Sequence, residues 1–214
     1  EICKSCKRPS CLHPIPCKNL RNDHSPLLDV YRAVDNLPGI KKSFIGSGVR
    51  YDLAMHKNTD ASINKANREY IEELIARHVS GRLKVAPEHT SDAVLNVMRK
   101  PNFALFNEFK VIFDNVNRKH GLNQQLIPYF ISSHPGCHEA DMAELAVATK
   151  NLNFHLEQVQ DFTPTPMTVS TEAYYTGVHP YTLQPVFTAK SPKEKLAQRK
   201  YFFWYLQENK SDII

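Results

Sequence analysis

The sequence predicts an α/β protein with a parallel sheet, and three observations carry that prediction. Short runs rich in β-branched and aromatic residues alternate four times with segments of helical periodicity. Each connection between successive runs is long enough for a right-handed crossover, so the strands should lie parallel. Polar residues crowd just after each run: Ser47, Arg50 and Asp52; Glu88 and His89; Ser132, Ser133 and His134; Gln160, Asp161 and Thr163. In α/β proteins the carboxyl ends of parallel strands are where ligands sit, so four such tips on one rim make a candidate site.

Residues 1–24 stand apart. Cys3, Cys6, Cys11 and Cys17 follow one another as C-x2-C-x4-C-x5-C, with Lys4, Lys7, Arg8 and Lys18 between them and His13 and His24 nearby. In a reducing compartment four thiols so spaced point to tetrahedral zinc or an iron-sulfur cluster rather than to disulfides. The competing readings are a disordered cut end or oxidised thiols. The histidines read as solvated loop residues. The chain opens at Glu1 and enters this cluster at once, which reads as a segment of something longer.

Ser25-Pro26 opens the first helix, with serine as N-cap and proline at the first helical position. Leu27, Leu28, Tyr31, Val34 and Leu37 form its apolar stripe, and Pro38-Gly39 ends it. A first strand is expected over Lys42–Gly46, leading to the tip Ser47–Asp52. A looser polar segment precedes a helix over Glu69–Val79. The second strand, Leu83–Ala86, ends in Pro87-Glu88-His89-Thr90, and helical turns follow from Asp92 to Met98. Leu105–Lys119 carries Phe106, Phe109, Ile112, Phe113 and Val116 at helical spacing, a stripe that belongs to a core, and Gly121 stops it.

Leu126–Ile131 is the third strand, although Pro128 within it removes a ladder donor. Its tip, Ser132-Ser133-His134-Pro135-Gly136, opens a helix with Glu139, Asp141 and Glu144 in its early turns. Cys137 reads as a helix-start residue. The fourth strand is expected over Phe154–Phe162, where Gln158 and Gln160, two apart, share a face. Residues 178–214 form an extension whose last helix starts with the capping box Ser191–Glu194 and carries Leu196, Tyr201, Phe202, Phe203, Trp204, Tyr205 and Leu206. So apolar a helix must pack on something.

Composition bounds the rest. Of 214 residues 42% are hydrophobic, enough for one sizeable core, and a net charge of +5 tolerates polyanions without demanding them. No apolar run approaches bilayer length and no charged-then-apolar leader opens the chain, so a cytoplasmic protein without a membrane partner is expected.

The ordered tips SGVRYDL, LKVAPEHTSDAVLNVMRKP, PYFISSHPGCHEADM and QVQDFTPTPMTVSTEAYYTG resemble the carboxyl half of a radical S-adenosylmethionine enzyme core, most closely its YgiQ-type branch. The resemblance runs from Cys3 to Gly177. It implies a partial TIM-like (β/α)6 half-barrel over 25–177 and a [4Fe-4S] enzyme that cleaves S-adenosylmethionine to a 5'-deoxyadenosyl radical, which takes hydrogen from a substrate, RNA or a small molecule. It implies Ser47, Arg50 and Glu88 as contacts to the cofactor's ribose and carboxylate, with His89 also among the cofactor-binding residues. Ser132, Ser133 and His134 would stand on its adenine or substrate side, and Gln158 and Gln160 would face the same cavity. One departure matters: no three cysteines have the C-x3-C-x2-C spacing that binds the cluster. The cluster ligands would lie upstream, this segment alone is expected to be inactive, and Cys3, Cys6, Cys11 and Cys17 would be an auxiliary or structural metal site. A half-barrel without its first strands exposes a sheet edge beside Lys42–Gly46, so self-association is expected.

Two other readings compete. A phosphate-binding barrel would want a glycine-rich loop opening a helix, and only Gly46-Ser47-Gly48 approaches one. An RNA-binding module would use the basic cysteine segment and the terminal aromatic residues.

Overall fold

In the computed structural model, which describes residues 2–213, three parallel strands are flanked by helices. β1 (Arg82–Glu88), β2 (Gln125–Ser132) and β3 (Gln158–Asp161) lie side by side in that order. The crossovers are α4 (Asp92–Met98) with α5 (Phe103–His120), and then α6 (Glu139–Asn151). Before the sheet come α1 (Ser25–Asp35), the short α2 (Tyr51–Ala54) and α3 (Ala61–Arg77); after it come α7 (Val169–Thr176), α8 (Pro192–Arg199) and α9 (Gln207–Ile213). Among the described residues no helix is long and apolar enough to cross a membrane. This is the α/β class and parallel order that the sequence predicts, consistent with part of a barrel.

Alternation along the strands sorts the two faces of the sheet. Leu83, Val85 and Leu126 join Leu74, Ile75, Phe106, Phe109 and Phe113 in one core cluster, under α1, α3 and α5. Phe130 joins Val94, Met142, Leu145, Leu156 and Phe202 in a second. The register pairs Tyr129 with Gln158 and Ile131 with Gln160, so these four share the opposite face. Pro128 is tolerated inside β2 because the β1–β2 ladder slips just there: Val85 pairs with Pro128, yet the next pair is Glu88 with Phe130. That bulge holds Ala86 and Pro87 out of the ladder, re-aiming the end of β1.

The structure corrects four expectations. Lys42–Gly46 is not a strand. Its donors go elsewhere, Ser43 N–H to the Asp35 carboxylate at 3.0 Å and Ile45 N–H to His78 O at 2.9 Å, and only Val49 forms a bridge, to Val85. The fourth strand shrinks to Gln158–Asp161 because Phe154 N–H closes the end of α6 on Thr149 O, leaving 154–157 outside the ladder. The segment after Asp52 is not loose: α3 starts at Ala61, where Asp60 caps Ser62 N–H, and its polar Asn67 is buried at 1% exposure, accepting His24 N–H. The terminal aromatic helix breaks after Arg199 into a 3-10 turn over Lys200–Phe203, which lets Tyr201 and Phe202 enter the second core cluster while Leu196 stays exposed. β1 has only the Val49 bridge on its outer side, and among the described residues β3 pairs with β2 alone, so both edges are largely open.

Candidate strand-end site

The first two tips form one unit. Arg50 grips Asp52 with two bonds, Nε at 2.8 Å and a terminal nitrogen at 2.6 Å, the fork geometry that a guanidinium offers a carboxylate. That pairing holds the Arg50 guanidinium above its ordinary pKa. The Val49 bridge seats this loop beside β1, where Arg50, Tyr51 and Asp52 share a small cavity of about 30 Å³ with Ala86, Pro87 and Lys100. Lys100 Nζ lies 3.1 Å from Glu88 Oε1. Burial, then the charges of Asp52 and Glu88, push the Tyr51 hydroxyl well above the phenol range. Ser47 is exposed and lines a separate opening of about 240 Å³ with Tyr31, Tyr70 and Arg50.

The third and fourth tips form a second unit, held by buried bonds. Ser132 Oγ donates to Asp161 at 2.6 Å, tying β2 to β3. Ser133 N–H donates to Gln198 Oε1 and Gln198 Nε2 donates to Cys137 O, both at 2.7 Å, so a side chain from α8 spans the turn. His134 stands between Pro135 O and Ser170 Oγ, each 2.8 Å from a ring nitrogen, with its ring edge-on to Phe162. Gly136 is the one residue that fits the turn: its φ is +86°, and a Cβ there would sit 3.1 Å from Val97 Cγ2. On the face away from the core clusters, Gln160 Oε1 accepts the Tyr129 hydroxyl and Gln158 lies beside it on β3.

His89 points inward. It is fully buried; its Nδ1 accepts Ser91 N–H at 3.0 Å, which leaves Nε2 to carry the proton toward Cys137 Sγ at 3.5 Å. Both nitrogens are used by the protein, so His89 has no polar atom left for a ligand. Ser91 continues the chain of bonds to Asp141 at 2.7 Å, and Asp141 accepts His138 N–H at 2.8 Å at the start of α6. Burial lowers the pKa of His89 and of His134 to about 4, and burial raises the Cys137 thiol to about 12. Both imidazoles are neutral and the thiol is protonated at neutral pH.

The two expected cofactors fare differently. Cys3, Cys6 and Cys11 are exposed, Cys17 is half-buried, and among the described residues no group of three or more His, Cys, Asp or Glu side chains is arranged to hold a metal ion. These cysteines do not fit a preformed metal site. A polar cofactor fits the strand ends better. β1 ends in Glu88 with φ +69° and β2 is followed by Ser133 with φ +59°, left-handed positions that ordinary side chains avoid. Among the described residues each holds a buried side-chain oxygen with no partner, Glu88 Oε2 and Ser133 Oγ, as does Thr90 Oγ1 two residues past β1. Native proteins pair such atoms, and of the eight that the described residues hold these three lie at the ends of β1 and β2.

The structure thus places Arg50 on a cavity whose Lys100 pairs with Glu88, and Ser132 and Ser133 at the neighbouring strand end. It holds His134 behind them and leaves Ser47 apart. Sequence reasoning missed Lys100, Ser170 and Gln198. Lys100 had a weak signal, as the residue just past a helix on a tip. Gln198 had none, being one more polar residue on a short amphipathic helix.

Comparison with known proteins gives the lineage. The chain is 70% identical over 213 residues to a UPF0313 protein of Bacteroides thetaiotaomicron, a match that takes in 100% of this chain and 34% of that protein. Over its length the chain belongs to the UPF0313 family. A UPF0313 protein of Porphyromonas gingivalis is 64% identical over 213 residues, and one of Methanocella arvoryzae 43% over 204, covering 34% and 32% of those proteins. The UPF0313 chain described here therefore spans about a third of the length of the curated relatives it matches. No family model matches it.

Proposed function

We propose that this UPF0313 segment is the carboxyl-side part of a radical S-adenosylmethionine barrel and supplies the rim that holds the cofactor and its substrate. The observation that carries the reading is the pair of left-handed residues Glu88 and Ser133 at the ends of adjoining parallel strands, each with a buried oxygen that has no partner among the described residues. The ordered resemblance of all four tips to that family supports it. So does the face carrying Tyr129, Gln158 and Gln160, which is polar and turned away from the core clusters.

In this reading Glu88 Oε2 accepts from a hydroxyl or ammonium group of the cofactor, with Lys100 holding the other carboxylate oxygen in place. Ser133 Oγ donates to or accepts from the nucleoside, its backbone fixed by Gln198. Arg50, already braced by Asp52, offers its remaining donor nitrogen to a carboxylate. Gln160 and Tyr129 present an amide and a hydroxyl to the substrate. When bound, S-adenosylmethionine with its iron-sulfur cluster supplies hydrogen-atom abstraction, and the cluster ligands come from outside this segment.

The test uses the full-length protein, purified without oxygen and given S-adenosylmethionine and dithionite, with 5'-deoxyadenosine read by chromatography. Wild type should form it. Glu88→Gln and Ser133→Gly, the latter keeping the left-handed backbone, should each raise KM for S-adenosylmethionine about 10- to 100-fold, the worth of a buried hydrogen bond to a charged or constrained group. No 5'-deoxyadenosine from protein carrying its full iron and sulfide content would end the proposal.

A further inference from the structure

Beside the end of β3 lies an open groove of about 460 Å³ whose walls are Asp161, Lys190, Pro192, Lys195, Leu196 and Arg199. Its charges are unevenly paired. Asp161 is shared by Ser132 Oγ at 2.6 Å and Arg199 at 3.4 Å. Lys190 and Lys195 face no carboxylate within ion-pair distance among the described residues. They meet instead over one aromatic ring, with Nζ atoms 5.7 and 5.4 Å from the centre of Tyr174, and Lys190 also donates to Tyr175 O at 3.2 Å. Cation–π contact holds both ammonium groups against that ring without neutralising either. Next to them Tyr175 is 69% exposed, its ring 5.4 Å from that of Tyr174 and perpendicular to it.

We infer that this groove binds a single-stranded polynucleotide, with Lys190 and Lys195 on its phosphates and Tyr175 as a face on which a base stacks. The charge calls for an anion, and two fixed cations in an open channel suit a repeating one. The exposed flat ring beside them selects an anion that carries bases over a bare polyphosphate or a lipid surface. The groove borders Asp161, so a bound strand would run past the carboxyl end of β3. The inference goes beyond the cofactor reading and needs none of its chemistry.

The experiment is fluorescence anisotropy with the full-length UPF0313 protein and a labelled single-stranded RNA of mixed sequence, at about 50 mM and about 200 mM salt. Wild type should bind with salt-dependent affinity. Lys190→Gln with Lys195→Gln should flatten the plot of log K against log salt by about 1.4, two contacts at roughly 0.7 each for a single strand. Tyr175→Ala should weaken binding roughly 5- to 150-fold and Tyr175→Phe should restore it, since stacking needs only the ring. All three positions reach solvent, and circular dichroism checks that the variants fold. Absence of binding at low salt, an unchanged slope, or equal competition by inorganic polyphosphate or anionic vesicles would each overturn the inference. Because binding is read without cofactor or reductant, its failure leaves the radical reading standing, and the converse holds too.

Discussion

Replacing Gln198 by methionine tests how the strand-end turn is held. Methionine keeps the length and volume of glutamine but neither accepts nor donates, so two bonds of 2.7 Å vanish together. The partners left behind are the Ser133 N–H and the Cys137 carbonyl, both on residues with 0% exposure. Water cannot reach them in the closed structure, and each orphaned buried group costs about 1–3 kcal/mol. The sum is about 2–6 kcal/mol, applied to the turn rather than to the whole molecule. Hydrogen exchange on the full-length protein, followed by mass spectrometry over residues 130–138, reads that local loss. Protection should fall by at least about 30-fold, the conversion of the lower bound at 1.36 kcal/mol per decade. A change under about threefold would mean that the turn does not depend on α8, and the account of Ser133 as a braced residue would be wrong.

Two further expectations concern buried titratable groups. Burial holds His89 and His134 near pH 4 in the folded protein, against about 6.5 unfolded, so the unfolded chain binds more protons between those values. Their contribution is complete above about pH 6.5 and is lost as pH falls toward 4, by up to about 3 kcal/mol for each. Thermal midpoints measured at intervals from pH 7.5 to 4.5 should fall over that window, and a flat profile would show that neither ring must charge on unfolding. Cys137, buried and pushed up to about 12, should resist iodoacetamide at neutral pH while the exposed Cys3, Cys6 and Cys11 react. Peptide mass spectrometry with and without denaturant decides it, and labelling of Cys137 at the rate of an exposed thiol would contradict its burial.

The fold was legible where burial is periodic and local. Phe106, Phe109 and Phe113 announced α5, and all three are buried. The capping box Ser191–Glu194 announced α8. Side chains that divert backbone donors were harder to foresee. Nothing in FIG at 44–46 shows that His78 O takes the Ile45 donor and that Asp35 takes Ser43, which leaves a strand-like run without a ladder. Likewise Asn64 and Asn67 made the start of α3 look like a loop, although Asn67 is buried because His24 uses its oxygen. In the site, Arg50, Glu88, Ser132 and Ser133 were legible because tips follow strands. Their partners Lys100 and Gln198 were not, since those contacts depend on how later helices return to the sheet.

That return explains how two unfavourable backbone positions persist. Glu88 and Ser133 each sit at positive φ, which costs roughly 1 kcal/mol for a residue with a Cβ. Glycine would remove that cost but would also remove both oxygens. Each residue is instead fixed by a contact made after its strand: Lys100, just past α4, on the Glu88 carboxylate, and Gln198, more than sixty residues downstream, on the Ser133 backbone. Charge-assisted and buried hydrogen bonds are each worth as much as the strain they oppose or more. α8 and the 3-10 turn after it are therefore part of the strand-end site: Tyr201 and Phe202 anchor this segment in the second core cluster, and Gln198 carries that anchorage to the turn. Held in this way, the two buried oxygens keep fixed positions, the preorganisation that the proposed cofactor contacts require.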